Sequence, residues 1–437
     1  MKIDRRSFLS LGVGAVAGTA FSPLALKLTD DVSIWSQNWP WTPVPADGEV
    51  SYTSSACTLC PGGCGIAVRK VDQRVVKIEG LPGHPVNDGG ICALGLSGPQ
   101  LLYGPTRVQT PLKRVGQRGA GGWVKISWQQ ALAEVTDRLV DLRGKGQPHT
   151  VGAILGSDGG TVPSLFSRFL TVYGSPNFFC MPSIQDTYEL TLFLMQGAQA
   201  QVGVDLENAD FILSFGSGIL DGWGSPVRML RAHSAWREGN GHLVQIEPRL
   251  STTAAKADQW IPINPGTEGA FALGLANVII QERLYRKAFI EEHCSGFEDW
   301  TDAQGTPHKG FKTLVGETYT PVKVSQLTGV DPLLVTAVAR SFAKAGRPVA
   351  LCGRGQGRQT SGSLLEFMAV HALNALVGNI NQEGGVWAVP EADYIDWPQP
   401  EMDAVAATGM QQPRIDGAGG EKFPYSRYLL NRWAEAR

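Results

Sequence analysis

The sequence has no surplus of charge of either sign. Its 38 Lys and Arg stand against 40 Asp and Glu, a formal net charge of −2. That gives no basic stripe for a phosphate backbone, so nucleic acid is not an expected partner. Long apolar runs are also missing. The mostly apolar stretch from Leu9 to Phe21 holds 13 residues, short of the roughly 20 that a membrane-spanning helix needs. Cysteine is sparse: seven in 437 residues do not make a disulfide scaffold. There is no C-x-x-C-H, so any haem would belong to partners. The seven histidines, His84, His149, His233, His242, His293, His308 and His371, show no metal-ligand spacing. What is abundant is Gly, 53, and Pro, 27, which suits tight turns between short elements. The length exceeds one ordinary domain and can bury a large core.

The first residues read as an address. Arg5-Arg6 precede Ser7-Phe8-Leu9 and the short apolar run. This pattern is that of a twin-arginine export signal, or of an anchor where it stays attached. That route carries folded proteins, so it predicts a periplasmic protein whose prosthetic group is inserted before export. Residues 31–48, with Trp35, Trp39 and Trp41 among prolines, read as an extended linker.

Four of the seven cysteines fall before residue 93. Cys57, Cys60 and Cys64 form a C-x2-C-x3-C array, and Cys92 follows in "GGICALG". Four thiolates bind zinc or an iron–sulfur cluster. A four-cysteine zinc site usually joins two C-x2-C knuckles. Here three ligands share one loop and the fourth comes from afar, which favours [4Fe–4S] over zinc or unligated thiols. Gly62, Gly63 and Gly65 let the backbone turn closely around such a group. Cys180, Cys294 and Cys352 are scattered and read as buried thiols.

Alternating apolar positions about Asp72-Gln73 predict a β-hairpin over residues 64–80, and the cysteines sit on a small β-rich unit ending near residue 108. Leu132, Val135, Leu139 and Leu142 then follow helical spacing. Strand-like runs at 150–157, 209–217, 242–249, 259–266 and 348–355 alternate with helical stretches such as 268–284. That alternation predicts a doubly wound parallel sheet. Gly-rich turns end several strands, at Gly156, at Gly216-Ser217-Gly218, and at Gly353, Gly355 and Gly357. In open α/β sheets such turns line ligand crevices.

"CTLCPGGC…GGIC" resembles the cluster motif of the molybdopterin (bis-guanine-dinucleotide) oxidoreductases. "FSRFLTVYGSPNF", "ADFILSFGS", "VQIEPRLSTTAAKADQWIPINPGTEGAFALGL" and "HALNALVGNINQEGGV" are similar to further motifs of that family, in its order. The resemblance implies an α/β protein of the formate dehydrogenase/DMSO reductase fold. It divides as a signal or anchor (1–30), the linker (31–48), a small β-rich [4Fe–4S] domain (49–108), a discontinuous α/β domain (109–179 and 346–437) and an inserted Rossmann-like α/β domain (180–345). It also implies a C-terminal barrel that closes over one pterin nucleotide, which these 437 residues do not reach. Cys57, Cys60, Cys64 and Cys92 would hold the cluster. Gln185, Gly216, Glu247, Arg249, Gly266, Thr267 and Glu268 fall at positions of the pterin site.

Several residues depart from the family pattern. Leu94 stands where a Lys or Arg commonly bridges cluster and pterin. Gln185, eight residues after Asn177, stands where a metal-ligating Cys, selenocysteine, Ser or Asp belongs, and a neutral amide is a poor ligand for a high-valent metal. Cys180 is near but out of register. Gly216-Ser217-Gly218 lacks the asparagine amide of the usual G-x-N, and Glu247 and Glu268 replace Asp. These departures match the branch of molybdopterin-oxidoreductase-like subunits of menaquinone reductase complexes, known from sulfate respiration. The resemblance then implies one [4Fe–4S] cluster without molybdenum or pterin, and no catalytic residue in this chain. The partners would be a multihaem cytochrome c subunit, a ferredoxin-like iron–sulfur subunit and an integral membrane subunit with the quinone site. Two alternatives stay open: a molybdenum-dependent polysulfide- or thiosulfate-type reductase, and a redox-silent structural subunit.

Overall fold

A computed structural model describes residues 48–424 apart from 157–159, 182, 354–363, 391 and 393–396, together with residues 9, 10, 12–14 and 16–18. Arg5-Arg6, the three linker tryptophans, Gly355 and Gly357 lie outside the described residues. The described chain gathers into two compact units that divide after Trp128.

The first unit is built on an antiparallel meander: β1 (Val50–Ala56), β2 (Gly65–Val71) and β3 (Arg74–Gly80). The expected hairpin is β2–β3. Asp72 takes φ 53° at its tip, a left-handed conformation that Asp tolerates in tight turns. Ile66, Val71 and Val76 are the buried apolar residues of the meander. Two short helices follow, α1 (Ala93–Leu96) and α2 (Gly98–Tyr103), and then a small hairpin of β4 (Leu112–Arg114) and β5 (Trp123–Lys125).

The second unit begins with α3 (Trp128–Gly144) and a parallel pair, β6 (Ala153–Leu155) and β7 (Phe178–Cys180), joined through α4 (Thr161–Tyr173). Gly174, at φ 103°, ends α4. Next comes α5 (Ile184–Gln196). Ser183 and Asp186 form a reciprocal capping box at its start. β8 (Ala200–Val204) leads into the central sheet, which contains β9 (Phe211–Phe215), β10 (His242–Ile246) and β11 (Gln259–Ile261). Between them run α6 (Pro226–Glu238) and α7 (Thr252–Lys256). The long connection after β11 holds α8 (Glu268–Gln281), α9 (Lys287–His293), the two-stranded hairpin β12 (Trp300–Thr301) and β13 (Pro307–His308), α10 (Phe311–Thr318), α11 (Pro321–Thr328) and α12 (Pro332–Lys344). It returns as β14 (Pro348–Cys352), followed by α13 (Leu364–Leu376), β15 (Val386–Pro390) and α14 (Ala404–Met410). β15 pairs antiparallel with β8.

The central sheet is parallel throughout, in the order β11-β10-β9-β14. β9 and β14 are buried at every position, the signature of a sheet covered on both faces. Phe215, Phe271, Trp236, Phe342 and Phe367 fill the space between sheet and helices. α8 is almost wholly buried. β14, buried at every position, pairs along its length with β9.

β14 carries backbone groups that no neighbouring strand pairs. The Asn379 amide donates to the Pro348 carbonyl at 2.6 Å. Asn374 accepts from the Ala350 N–H and donates to the Ala350 carbonyl, both at 2.8 Å. The Tyr188 hydroxyl accepts from the Cys352 N–H at 2.8 Å and donates to the Cys352 carbonyl at 2.9 Å. Alternate residues along this edge are thus satisfied by side chains instead of a fifth strand.

Candidate iron–sulfur centre and sheet crevice

The cysteine array follows directly from the end of β1. The Cys57 N–H donates to the Cys64 carbonyl at 2.8 Å, closing the loop on itself. Gly63 lies inside the loop at φ 62°, a conformation easy only for glycine. Cys92 immediately precedes α1, and its carbonyl accepts the Leu96 N–H at 3.0 Å. The two segments meet. A Cβ at Gly95, in α1, would lie 3.9 Å from the Cys57 Sγ.

Cys64 is buried, and Cys57, Cys60 and Cys92 are half-buried. None of the seven cysteines is in a disulfide. Burial pushes the Cys60 thiol above its ordinary pKa, and the negative charges of Cys92, Cys57 and Cys64 push it further. A hydrogen bond from the Gly62 backbone works against them. The other three cysteines thus lie close enough to Cys60 to disfavour its thiolate. Among the described residues, no group of three or more His, Cys, Asp or Glu side chains is gathered tightly enough for a single metal ion. A cluster brings its own sulfides and holds its thiolates further apart. The donor set, four cysteines and no other ligand type, fits an iron–sulfur cluster.

Leu94 occupies the second position of α1 and is 52% exposed. It places an apolar side chain two residues after Cys92.

Six of the seven expected pterin-site positions belong to the second unit's sheet, on the connections leaving its carboxyl ends. Gly216 follows β9 at φ 67°. It lies where the strand order reverses, with β10 on one side of β9 and β14 on the other, the usual place for a ligand in such sheets. Glu247 and Arg249 follow β10. Glu247 is buried and accepts a short hydrogen bond from Ser251 Oγ, whereas Arg249 is exposed. Gly266, Thr267 and Glu268 lie on the connection from β11 to α8. Gly266 takes φ 80°, Thr267 Oγ1 donates to the Asn264 carbonyl, and Glu268 is fully buried in the first turn of α8. Gln185 is set apart, half-buried in the first turn of α5, with its amide 3.4 Å from Glu189. Cys180 is buried at the end of β7.

The crevice holds two notable polar atoms, one of them on Gln245, which sequence reasoning did not single out. Ser217 Oγ and Gln245 Oε1 are buried without a hydrogen-bond partner. Gln245 spends its amide N–H on the Ser217 carbonyl at 3.2 Å. Unpaired buried polar atoms cost stability, and these lie where a ligand's polar edge could satisfy them. The crevice therefore fits a polar cofactor edge, but Gln185 does not fit a metal-ligating role. Asn87 and His84, between the cluster ligands in sequence, were also missed. Their only signal was a polar, turn-rich "GHPVNDGG" inside the ligand loop.

The family model for the molybdopterin oxidoreductase Fe4S4 domain matches residues 50–104. The molybdopterin oxidoreductase model matches residues 107–411.

The chain belongs to the molybdopterin oxidoreductase family.

A member of that family, the menaquinone reductase, molybdopterin-binding-like subunit of Nitratidesulfovibrio vulgaris, is 38% identical over 90% of this chain and 53% of its own. The thiosulfate reductase molybdopterin-containing subunit of Salmonella typhimurium is 30% identical over 99% of this chain and 58% of its own. The chain thus spans about half the length of these curated relatives. Among solved structures, acetylene hydratase from Pelobacter acetylenicus superposes with a TM-score of 0.61 at 26% identity, over 74% of this chain and 43% of that one. The α/β fold with an N-terminal Fe4S4 domain is therefore that of a molybdopterin oxidoreductase. The relatives mark the chain as a homologue of respiratory oxidoreductase subunits.

Proposed function

We propose that this protein is the iron–sulfur electron-transfer subunit of a periplasmic, membrane-associated complex that passes electrons from reduced cytochrome c to menaquinone. The observation that carries the reading is the four-cysteine array, taken with a neutral amide, Gln185, where the family resemblance leads one to expect the metal ligand. A [4Fe–4S] cluster held by Cys57, Cys60, Cys64 and Cys92 supplies reversible one-electron storage when bound. Cys57 and Cys64 close the loop, and Cys92 brings the last thiolate from the adjoining turn. Leu94 adds neither charge nor a hydrogen bond toward a second redox centre. The similarity to the menaquinone reductase subunit supports the assignment to a multi-subunit complex.

The family fold over residues 107–411 is retained, so the fold itself gives no support for loss of the molybdenum cofactor. That part of the proposal rests on Leu94, Gln185 and Gly218 together. Export in the folded state rests on Arg5-Arg6 and the short apolar run after them. No helix among the described residues is long and apolar enough to cross a membrane. In this reading an integral quinone-binding partner provides the membrane association. A multihaem cytochrome c and a ferredoxin-like subunit would carry electrons on either side.

The test is electron transfer in the purified complex. Reduced cytochrome c is mixed with a menaquinone analogue, using wild type and Cys92→Ser. The proposal expects haem oxidation coupled to quinone reduction in wild type, and loss of that coupling in an assembled Cys92→Ser complex. An assembled variant with undiminished quinone reduction would make the subunit structural instead. Reduction of polysulfide or thiosulfate by a molybdenum-loaded wild type would make it a catalytic reductase subunit.

A further inference from the structure

The loop from residue 81 to residue 92 crosses between the two stretches that carry the cysteines, and one buried side chain ties them together. Asn87 is fully buried. Its Oδ1 accepts from the Gly65 N–H at 2.8 Å. Its Nδ2 donates to the Gly65 carbonyl at 2.9 Å and to the Gly90 carbonyl at 2.7 Å. Gly65 directly follows Cys64, and Gly90 stands two residues before Cys92. One amide thus bonds both stretches at once.

The surroundings reinforce this position. The Asn87 carbonyl accepts the Gly90 N–H at 2.7 Å, and the Gly65 carbonyl also accepts the Leu81 N–H at 3.0 Å. His84 Nδ1 lies 3.3 Å from the Gly65 nitrogen, and a Cβ at Gly65 would fall 2.5 Å from the His84 ring. Gly80, at the end of β3, has no room for a Cβ either, because one would sit 2.3 Å from the Gly89 and Gly90 carbonyl oxygens. The loop between the two ligand stretches is thus closely packed against both, and the Asn87 amide bonds to each.

We propose that Asn87 is a positioning residue of the iron–sulfur centre: its amide fixes the separation between the Cys64 and Cys92 stretches, and so the geometry in which all four thiolates are presented. The inference rests on the cluster reading above. Only a side-chain amide offers an acceptor and two donors in one plane. Asp has the same shape but cannot donate to the two carbonyls. Groups around a metal centre that orient its ligands typically change metal affinity about 10- to 100-fold when altered.

The test compares Asn87→Asp, the milder Asn87→Ser and Val76→Ala in the full chain purified with its partners. Val76 is a buried residue of the same sheet and makes none of these hydrogen bonds, so it reports general loss of stability. Iron and sulfide content, the EPR spectrum of the reduced centre, its midpoint potential and iron release to a chelator are measured. Both Asn87 variants are expected to release iron roughly tenfold faster or more, with an altered EPR line shape and a shifted potential. Val76→Ala should keep the wild-type spectrum and potential. Wild-type spectrum, potential and release rate in Asn87→Ser would overturn the proposal, as would equal changes in Val76→Ala. Iron missing from wild type itself would defeat the cluster reading, and is thereby told apart from failure of the positioning role.

Discussion

Tyr188→Phe removes one oxygen and leaves the ring, which packs edge-on against Phe367 with centroids 4.8 Å apart. That oxygen serves both the N–H and the carbonyl of Cys352, and all three groups are buried. Without it, two backbone groups at the carboxyl end of β14 lose their partner. Each buried group left unpaired costs about 1–3 kcal/mol. The hydroxyl's own burial is relieved, so the net loss is about 2–4 kcal/mol. Cys352 supplies the reporter. It is fully buried, and burial holds its thiol far above the ordinary cysteine pKa, so it reacts only when this region opens. A loss of 2–4 kcal/mol multiplies the open population about 30- to 1,000-fold. The assay is labelling of Cys352 by a thiol reagent followed by mass spectrometry, beside denaturant unfolding, with Cys352→Ala to assign the signal. Unfolding within about 0.5 kcal/mol of wild type, with unchanged labelling, would refute the account of how β14 is finished.

Two other perturbations test buried positions, one in each unit. Burial lowers the His371 imidazole from 6.5 to about 4; the unfolded chain therefore binds the extra proton first, and stability falls as pH drops from about 6.5 to about 4, by about 3 kcal/mol in all. Unfolding measured across that window should lose this slope in His371→Gln, and an unchanged slope would show that other groups carry it. Gly80→Ala forces a Cβ against the Gly89 and Gly90 carbonyls, at about 1–3 kcal/mol of overpacking; iron content should fall although no ligand is touched, and full retention would mean that the loop before Cys92 yields without disturbing the site.

Local chemistry made much of this molecule legible. The β2–β3 hairpin was written in alternating residues around Asp72-Gln73. Two strands of the parallel sheet, β9 and β14, were apolar runs closed by glycine. The cluster ligands stood out because three cysteines crowd one loop. What escaped was long-range. Tyr188 bonds to a strand 164 residues away, and its sequence context reads only as part of an amphipathic helix. Asn374 and Asn379 lie within a family motif, yet nothing local shows that they finish a sheet edge. Asn87 was hidden for a different reason. A polar residue in a Gly-Pro loop suggests a turn, and its burial comes only from the ligand stretches folding around it. Gln245 follows Leu243 and Val244 and precedes Ile246 in β10, where its polarity could have drawn attention to the crevice.

The most direct test of the central claim is the iron, acid-labile sulfide, molybdenum and pterin content of the protein purified without air in its native complex. The account predicts about four irons and four sulfides per chain, with neither molybdenum nor pterin in stoichiometric amount. Stoichiometric molybdenum with bound pterin would contradict it and return Gln185, Gly216 and Glu268 to the service of a working metal site.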